Sequence, residues 1–162
     1  MRMTDSVCRI FIHGLESSNK GTKSVFFREK FPDMILPTFA GDLPKRLLKL
    51  EGILSEKSEI RIVGSSFGGL MGALFTMANE SRVKNLTLLA PAIHIIHHAP
   101  RKLKKISIPV CIYHGTEDDV IPLADVEKVA GKFFTNLTFH KVKDDHFLHR
   151  TFKTIDWENL LA

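Results

Sequence analysis

Two periodicities alternate along this chain, and that alternation limits the folds open to it more than any other feature. Short apolar runs rich in β-branched residues recur at Val7–Ile12, Met34–Pro37, Ile60–Val63, Leu86–Leu89, Val110–Tyr113 and Leu137–His140. Longer segments with helical spacing lie between them. Helices are predicted over about 22–31, with Val25, Phe26 and Phe27 facing inward, and over about 43–54, with Leu43, Leu47, Leu50 and Leu54 in a stripe. Others are predicted over about 67–78, 123–134 and 148–161. Parallel strands cannot be joined by a tight turn and need a crossover, usually a helix. The expectation is therefore an α/β fold: a mainly parallel sheet of about six strands with helices on both faces, in one domain spanning 1–162. The stretch 92–108, with one proline, three histidines and a basic run, reads as a loop with at most one short helix.

Composition narrows the class. At 44% hydrophobic and 25% charged residues the chain matches an ordinary globular protein, which argues against disorder and low complexity. Met1 to Asp5 lack the apolar core of a leader, and no stretch approaches the roughly 20 apolar residues of a membrane span, so a cytoplasmic protein without membrane attachment is expected. Cys8 and Cys111 both fall inside strand-like runs and read as buried, inert thiols. The net charge of +5 is spread along the chain, with one tight cluster, Arg101-Lys102-Leu103-Lys104-Lys105. Without aromatic residues interleaved among the cations, it reads as a solvated surface rather than a nucleic-acid site; a second reading places the cluster at a substrate entrance.

The chemistry concentrates at the ends of the strand-like runs. Gly64-Ser65-Ser66-Phe67-Gly68 has the form G-x-S-x-G, with an apolar strand leading in and a helix leading out. A serine on such a turn stands exposed above a sheet edge, and the flanking glycines make room for the bend. Serine is a weak nucleophile and needs a base, together with amide donors aimed at the developing oxyanion. His13-Gly14-Leu15 closes the first run, where the Leu15 N–H can reach the turn, and the Phe67 N–H opens the following helix. His114 to Pro122 follows the fifth run and carries the carboxylates Asp118 and Asp119; Asp144-Asp145-His146 follows the sixth. Ligands of an open parallel sheet bind beyond the carboxyl ends of its strands, so three loops deliver Ser, Asp and His to one edge.

On these residues the chain resembles the α/β-hydrolase superfamily, and within it the small bacterial esterase-type members without a cap domain. The resemblance rests on the His-Gly pair at 13–14, the G-x-S-x-G turn, the H-G-x-x-D-x-V-x-P run from His114 to Pro122 and the late Asp-His, and it spans about 7–161. It implies Ser66 as nucleophile, Asp118 as the acid and His146 as the base, with the backbone N–H groups of Leu15 and Phe67 as oxyanion donors. His13, Gly14, Gly64 and Gly68 support the motif. The antiparallel edge hairpin of larger members is not seen ahead of the first run, and no lid is inserted after Pro91.

Competing assignments remain. Ser66 could be a helix cap. Asp119 competes with Asp118, and His140 and His149 compete with His146, although His140 falls within a strand and His149 within the last predicted helix. His114 reads as a loop-shaping residue. His94, His97 and His98 have spacing compatible with zinc but lack accompanying cysteine or acidic ligands, so no metal site is expected. The resulting expectation is hydrolysis of a carboxylic ester or thioester of a small acyl substrate, with no cofactor, metal or nucleic-acid partner. A peptidase or amidase on the same triad, or a non-catalytic ligand-binding protein on a hydrolase scaffold, are the alternatives. Oligomeric state leaves no mark in the sequence.

Overall fold

A computed structural model describes residues 7–162; the stretch Met1 to Asp5, read above for a leader, lies outside them. Five strands, β1 (Cys8–Ile12), β2 (Ile60–Ser65), β3 (Val83–Leu89), β4 (Val110–Gly115) and β5 (Leu137–Val142), form one sheet in the order β1-β2-β3-β4-β5. All four pairings are parallel. Register aligns Ile10 with Ile62, Ile62 with Leu86, Leu86 with Val110 and Val110 with Leu137, so one apolar row crosses the sheet.

That row faces helices α2 (Leu43–Ile53), α3 (Phe67–Ala78) and α4 (Leu123–Phe133), whose Leu47, Leu50, Leu70, Leu74, Val126 and Val129 complete the larger core. Helix α3 is apolar on every side and buried from Gly68 to Met77, as expected of a helix packed between a sheet and its neighbours. The opposite face carries a smaller aromatic core. Phe27 of helix α1 (Thr22–Lys30) meets Trp157 of the short helix α5 (Trp157–Leu160) with ring centroids 4.9 Å apart, and Phe11, Phe152 and Val63 close around them. Below this core the sheet face is polar, and the C-terminal residues accept from it: Arg9 Nε donates to Leu161 O, Arg61 Nε to Ala162 O and Asn85 Nδ2 to Leu160 O.

Four expectations need correction. The predicted strand at Met34–Pro37 shrinks to one bridge, Ile35 beside Ile10, with Phe11 N donating to Ile35 O and Ile35 N to Arg9 O. Pro37 has no N–H to continue the ladder, and the Leu36 carbonyl accepts from Asn19 Nδ2 instead. The sheet thus has five strands rather than six. The helix predicted over 148–161 is broken: Leu148 takes φ 55°, Arg150 and Thr151 donate backbone N–H groups to Asp144 Oδ2, and only a 3-10 turn (Phe152–Thr154) and α5 remain. His149 therefore sits in a turn. Val25 is exposed, leaving Phe27 as the inward anchor of α1. Cys8 is buried but Cys111 is only half-buried; both are free.

Candidate active site

The carboxyl ends of β1, β2, β4 and β5 open on one cleft of about 750 Å³, lined among others by Gly14, Leu15, Ser66, Val120, His146 and Phe147. Ser66 stands between β2 and α3 with φ 55° and ψ −118°, a backbone state that costs a non-glycine residue on the order of 1–3 kcal/mol and persists only where its surroundings hold it. They do so here. Ser66 N donates to Leu89 O at 2.9 Å, and Ser66 O accepts from Gly69 N and Ala92 N at 2.9 and 2.8 Å. Gly68 lies so close to β1 that a Cβ there would overlap the Ile12 carbonyl oxygen, and a Cβ on Gly64 would come within 2.5 Å of Gly68 O. The elbow glycines are thus demanded by backbone packing.

The Gly14–Leu15 loop lies against the serine: a Cβ built on Gly14 would sit 3.4 Å from Ser66 Cβ and 3.9 Å from Ser66 Oγ. His13 pins this loop. Its Nε2 accepts from Phe39 N at 2.9 Å, so the ring proton is on Nδ1 and is donated to Gly14 O at 2.6 Å. Burial, aided by Arg46 and Lys49, holds its pKa below the ordinary histidine value and keeps the ring neutral. The Phe67 N–H is the first of α3 and has no acceptor within its own helix.

Across the cleft, His146 Nδ1 meets Asp118 Oδ2 at 2.8 Å, and the Asp118 carboxylate is fully buried. Its other oxygen accepts from Val120 N at 2.9 Å and Ile121 N at 2.8 Å. Neutral His114, its pKa depressed by burial, donates Nε2–H to Ile121 O at 2.9 Å and places the same nitrogen 3.3 Å from Asp118 Oδ2. With Nδ1 engaged, Nε2 is the nitrogen His146 has left for chemistry. The loops bearing Asp118 and His146 touch directly: a Cβ on Gly115 would overlap the Asp144 carbonyl oxygen. Asp144 organises the His146 loop. Burial alone would raise its pKa, but donors from Thr151, Asp145 and Arg150 together pull it below the usual carboxylate range.

Leu15, Ser66 and His146 thus line one cleft, with Asp118 paired to His146 and Phe67 following Ser66 at the start of α3; the competing residues make no such arrangement. Asp119 is exposed. His140 stacks on Tyr113 with centroids 4.4 Å apart, beside a depression separate from the cleft. His149 lines the outer cleft and pairs with Asp145 at 2.6 Å. His94, His97 and His98 lie on a 3-10 turn (Ile93–His98), and among the described residues no group of three or more His, Cys, Asp or Glu is placed to hold a metal. Arg101, Lys102 and Lys104 border a different depression, beside Leu47 and Leu74, so the basic run is not at this entrance; Arg101 pairs with Glu51 at 3.1 Å.

Three further residues were not visible as site residues in the sequence. Lys23 Nζ donates to Phe147 O at 2.8 Å, tying α1 to the His146 loop, and burial lowers its pKa against the opposing pull of Asp145 and Asp144. Phe147 stands 59% exposed against the His146 ring. Arg46 lies buried behind the Gly14–Leu15 loop. None belongs to a motif, so only an inventory of contacts across the cleft could have found them.

No protein-family model matches the sequence, and no curated protein is detectably similar to it. Solved structures are. Est1E from Butyrivibrio proteoclasticus, solved with ferulic acid bound, superposes with a TM-score of 0.77 at 18% identity, over 95% of this chain and 86% of that one. A hydrolase of the alpha/beta superfamily from Xanthomonas campestris gives 0.77 at 24% identity, over 91% of each chain. An esterase from Pyrococcus furiosus gives 0.68 at 15% identity, over 97% of this chain and 80% of that one. The chain has the α/β-hydrolase fold. In this hydrolase fold the elbow after β2 and the loops after β4 and β5 are the parts that meet at the cleft, and among the described residues no helix is long and apolar enough to cross a membrane.

Proposed function

We propose that the protein is a serine hydrolase that cleaves a carboxylic ester or thioester through an acyl-enzyme. The buried Asp118–His146 pair, opening on the cleft that the strained Ser66 also lines, carries this reading. His146 Nε2 takes the Ser66 proton as Oγ attacks the carbonyl carbon, and Asp118 holds the imidazole tautomer and stabilises its cationic form. The N–H groups of Leu15 and Phe67 receive the oxyanion, each such donor worth about 3 kcal/mol of barrier. As the tetrahedral intermediate collapses, the carbon–oxygen or carbon–sulfur bond breaks and His146 returns the proton to the departing alcohol or thiol. Water then adds to the acyl-enzyme, gives its proton to His146, and the acid leaves as Ser66 recovers its hydrogen. No metal or cofactor enters these steps.

The cleft also favours a substrate type. Leu15 (53% exposed), Val120 (60%) and Phe147 (59%) come from the oxyanion, acid and base loops respectively and all line it. Apolar groups placed in this way suit an acyl or aryl group. The presence of ferulic acid, a carboxylic acid, in a structure of similar fold is in keeping with that. The test is a fluorophosphonate probe with the adduct located by mass spectrometry, alongside turnover of p-nitrophenyl esters. Label and turnover are expected to vanish in Ser66→Ala, with kcat down by about 10⁶. Labelling that persists in that variant would overturn the assignment.

A further inference from the structure

Arg46, on α2, is a buried cation without an anion. Its residue is 5% exposed, and among the described residues no carboxylate lies within ion-pairing distance of it. Nε donates to Gly41 O at 2.8 Å and one terminal nitrogen to Leu15 O at 3.4 Å; the other terminal nitrogen is buried and has no protein partner. The guanidinium carbon stands 5.5 Å from the centre of the Phe67 ring. A buried charge without a partner costs several kcal/mol and is normally paired or eliminated. Guanidinium, moreover, does not escape the cost by losing its proton.

Besides Gly41, this cation touches Leu15 and Phe67, the two residues whose N–H groups form the proposed oxyanion hole. We propose that Arg46 is a positioning residue whose counter-charge exists only in the transition state: the oxyanion on the scissile carbonyl. This rests on the function proposed above and extends it. Arg46 acts in two ways. By donating to Leu15 O it anchors the Leu15–Glu16 peptide and so restrains the backbone on one side of the Leu15 N–H, while His13 holds Gly14 O on the other. Its field, little screened behind the loop, favours negative charge at the oxyanion but acts weakly on a neutral ester. Such an interaction is stronger in the transition state than in the ground state, so it raises kcat and leaves KM nearly unchanged. His13, held neutral chiefly by burial with Arg46 and Lys49 adding to the effect, brings no second cation to the loop.

The experiment compares wild type with Arg46→Gln, which can still donate to a carbonyl but is neutral, Arg46→Met and Arg46→Lys. It uses p-nitrophenyl butyrate as substrate and butylboronic acid as the probe of the anionic tetrahedral state, with Tm measured for each variant. Arg46→Gln and Arg46→Met are expected to lose about tenfold or more in kcat with KM within about twofold, and boronic-acid affinity is expected to fall by the same factor. Arg46→Lys is expected to recover part of both. Two results would overturn the proposal: a folded Arg46→Gln with wild-type kcat and boronate affinity, or a loss confined to KM. A wild type that turns over esters, with activity abolished by Ser66→Ala and unaffected by Arg46→Gln, sinks this inference alone. A wild type inactive on every ester sinks the functional reading with it.

Discussion

Replacing Asp118 by asparagine changes one atom and discriminates sharply. Oδ1 accepts two backbone N–H groups, from Val120 and Ile121, so the amide oxygen must occupy that position and the NH₂ must take the place of Oδ2. There it faces His146 Nδ1 at 2.8 Å and donates to it. The imidazole proton is then forced onto Nε2, the nitrogen required to accept the Ser66 proton. From the equivalent substitution in serine proteases, kcat is expected to fall about 10⁴-fold, or about 5 kcal/mol of barrier, with KM little altered. Stability also suffers, because the NH₂ and the His114 Nε2–H now meet as two donors 3.3 Å apart; a loss of about 1–3 kcal/mol is expected from the impaired buried pairing. The assay is kcat for p-nitrophenyl butyrate together with urea denaturation, and Asp119→Asn serves as the control because its side chain belongs to no such pair. A folded Asp118→Asn whose kcat lies within about tenfold of wild type would refute the tautomer argument.

Two other expectations concern stability. His13 and His114 are buried and neutral, with pKa values held below the ordinary 6.5 chiefly by burial, so below about pH 6.5 the unfolded chain binds protons that the native state does not. Stability is therefore complete above that pH and falls as pH is lowered, by up to about 1.4 kcal/mol per unit for each ring, until the native rings protonate. Asp144 and Asp145, whose pKa values are depressed, contribute in a separate and more acidic window. Urea midpoints that stay flat between about pH 7 and 5 would contradict this. Trp157 packs edge-on to Phe27 and donates its indole N–H to Phe152 O at 2.9 Å, so Trp157→Ala is expected to cost about 3–5 kcal/mol, read by circular dichroism during urea unfolding. A loss under about 1 kcal/mol would show that this smaller core does not hold the C-terminal segment.

Sequence alone determined what depends on neighbours along the chain. The order of strands and helices follows from hydrophobic period, and the elbow at Ser66 from glycines that must sit two residues to either side of it. Where long-range contacts compete with local preference, the structure decided. The run at Met34–Pro37 has strand composition, but Pro37 and the Asn19 amide end its pairing after one bridge. The stretch after Leu148 has helical spacing, yet the Asp144 carboxylate takes the N–H groups that would begin the helix. The resemblance implied Asp118 and His146, but that these two pair with each other is seen only in the fold, because nearby residues with the same chemistry differ in where the backbone points them. Arg46 is the clearest case. Thirty-one residues separate it from Leu15 and 21 from Phe67. A charge acts through space, and only the folding of α2 against the first loop brings this one behind the carbonyl it is proposed to serve.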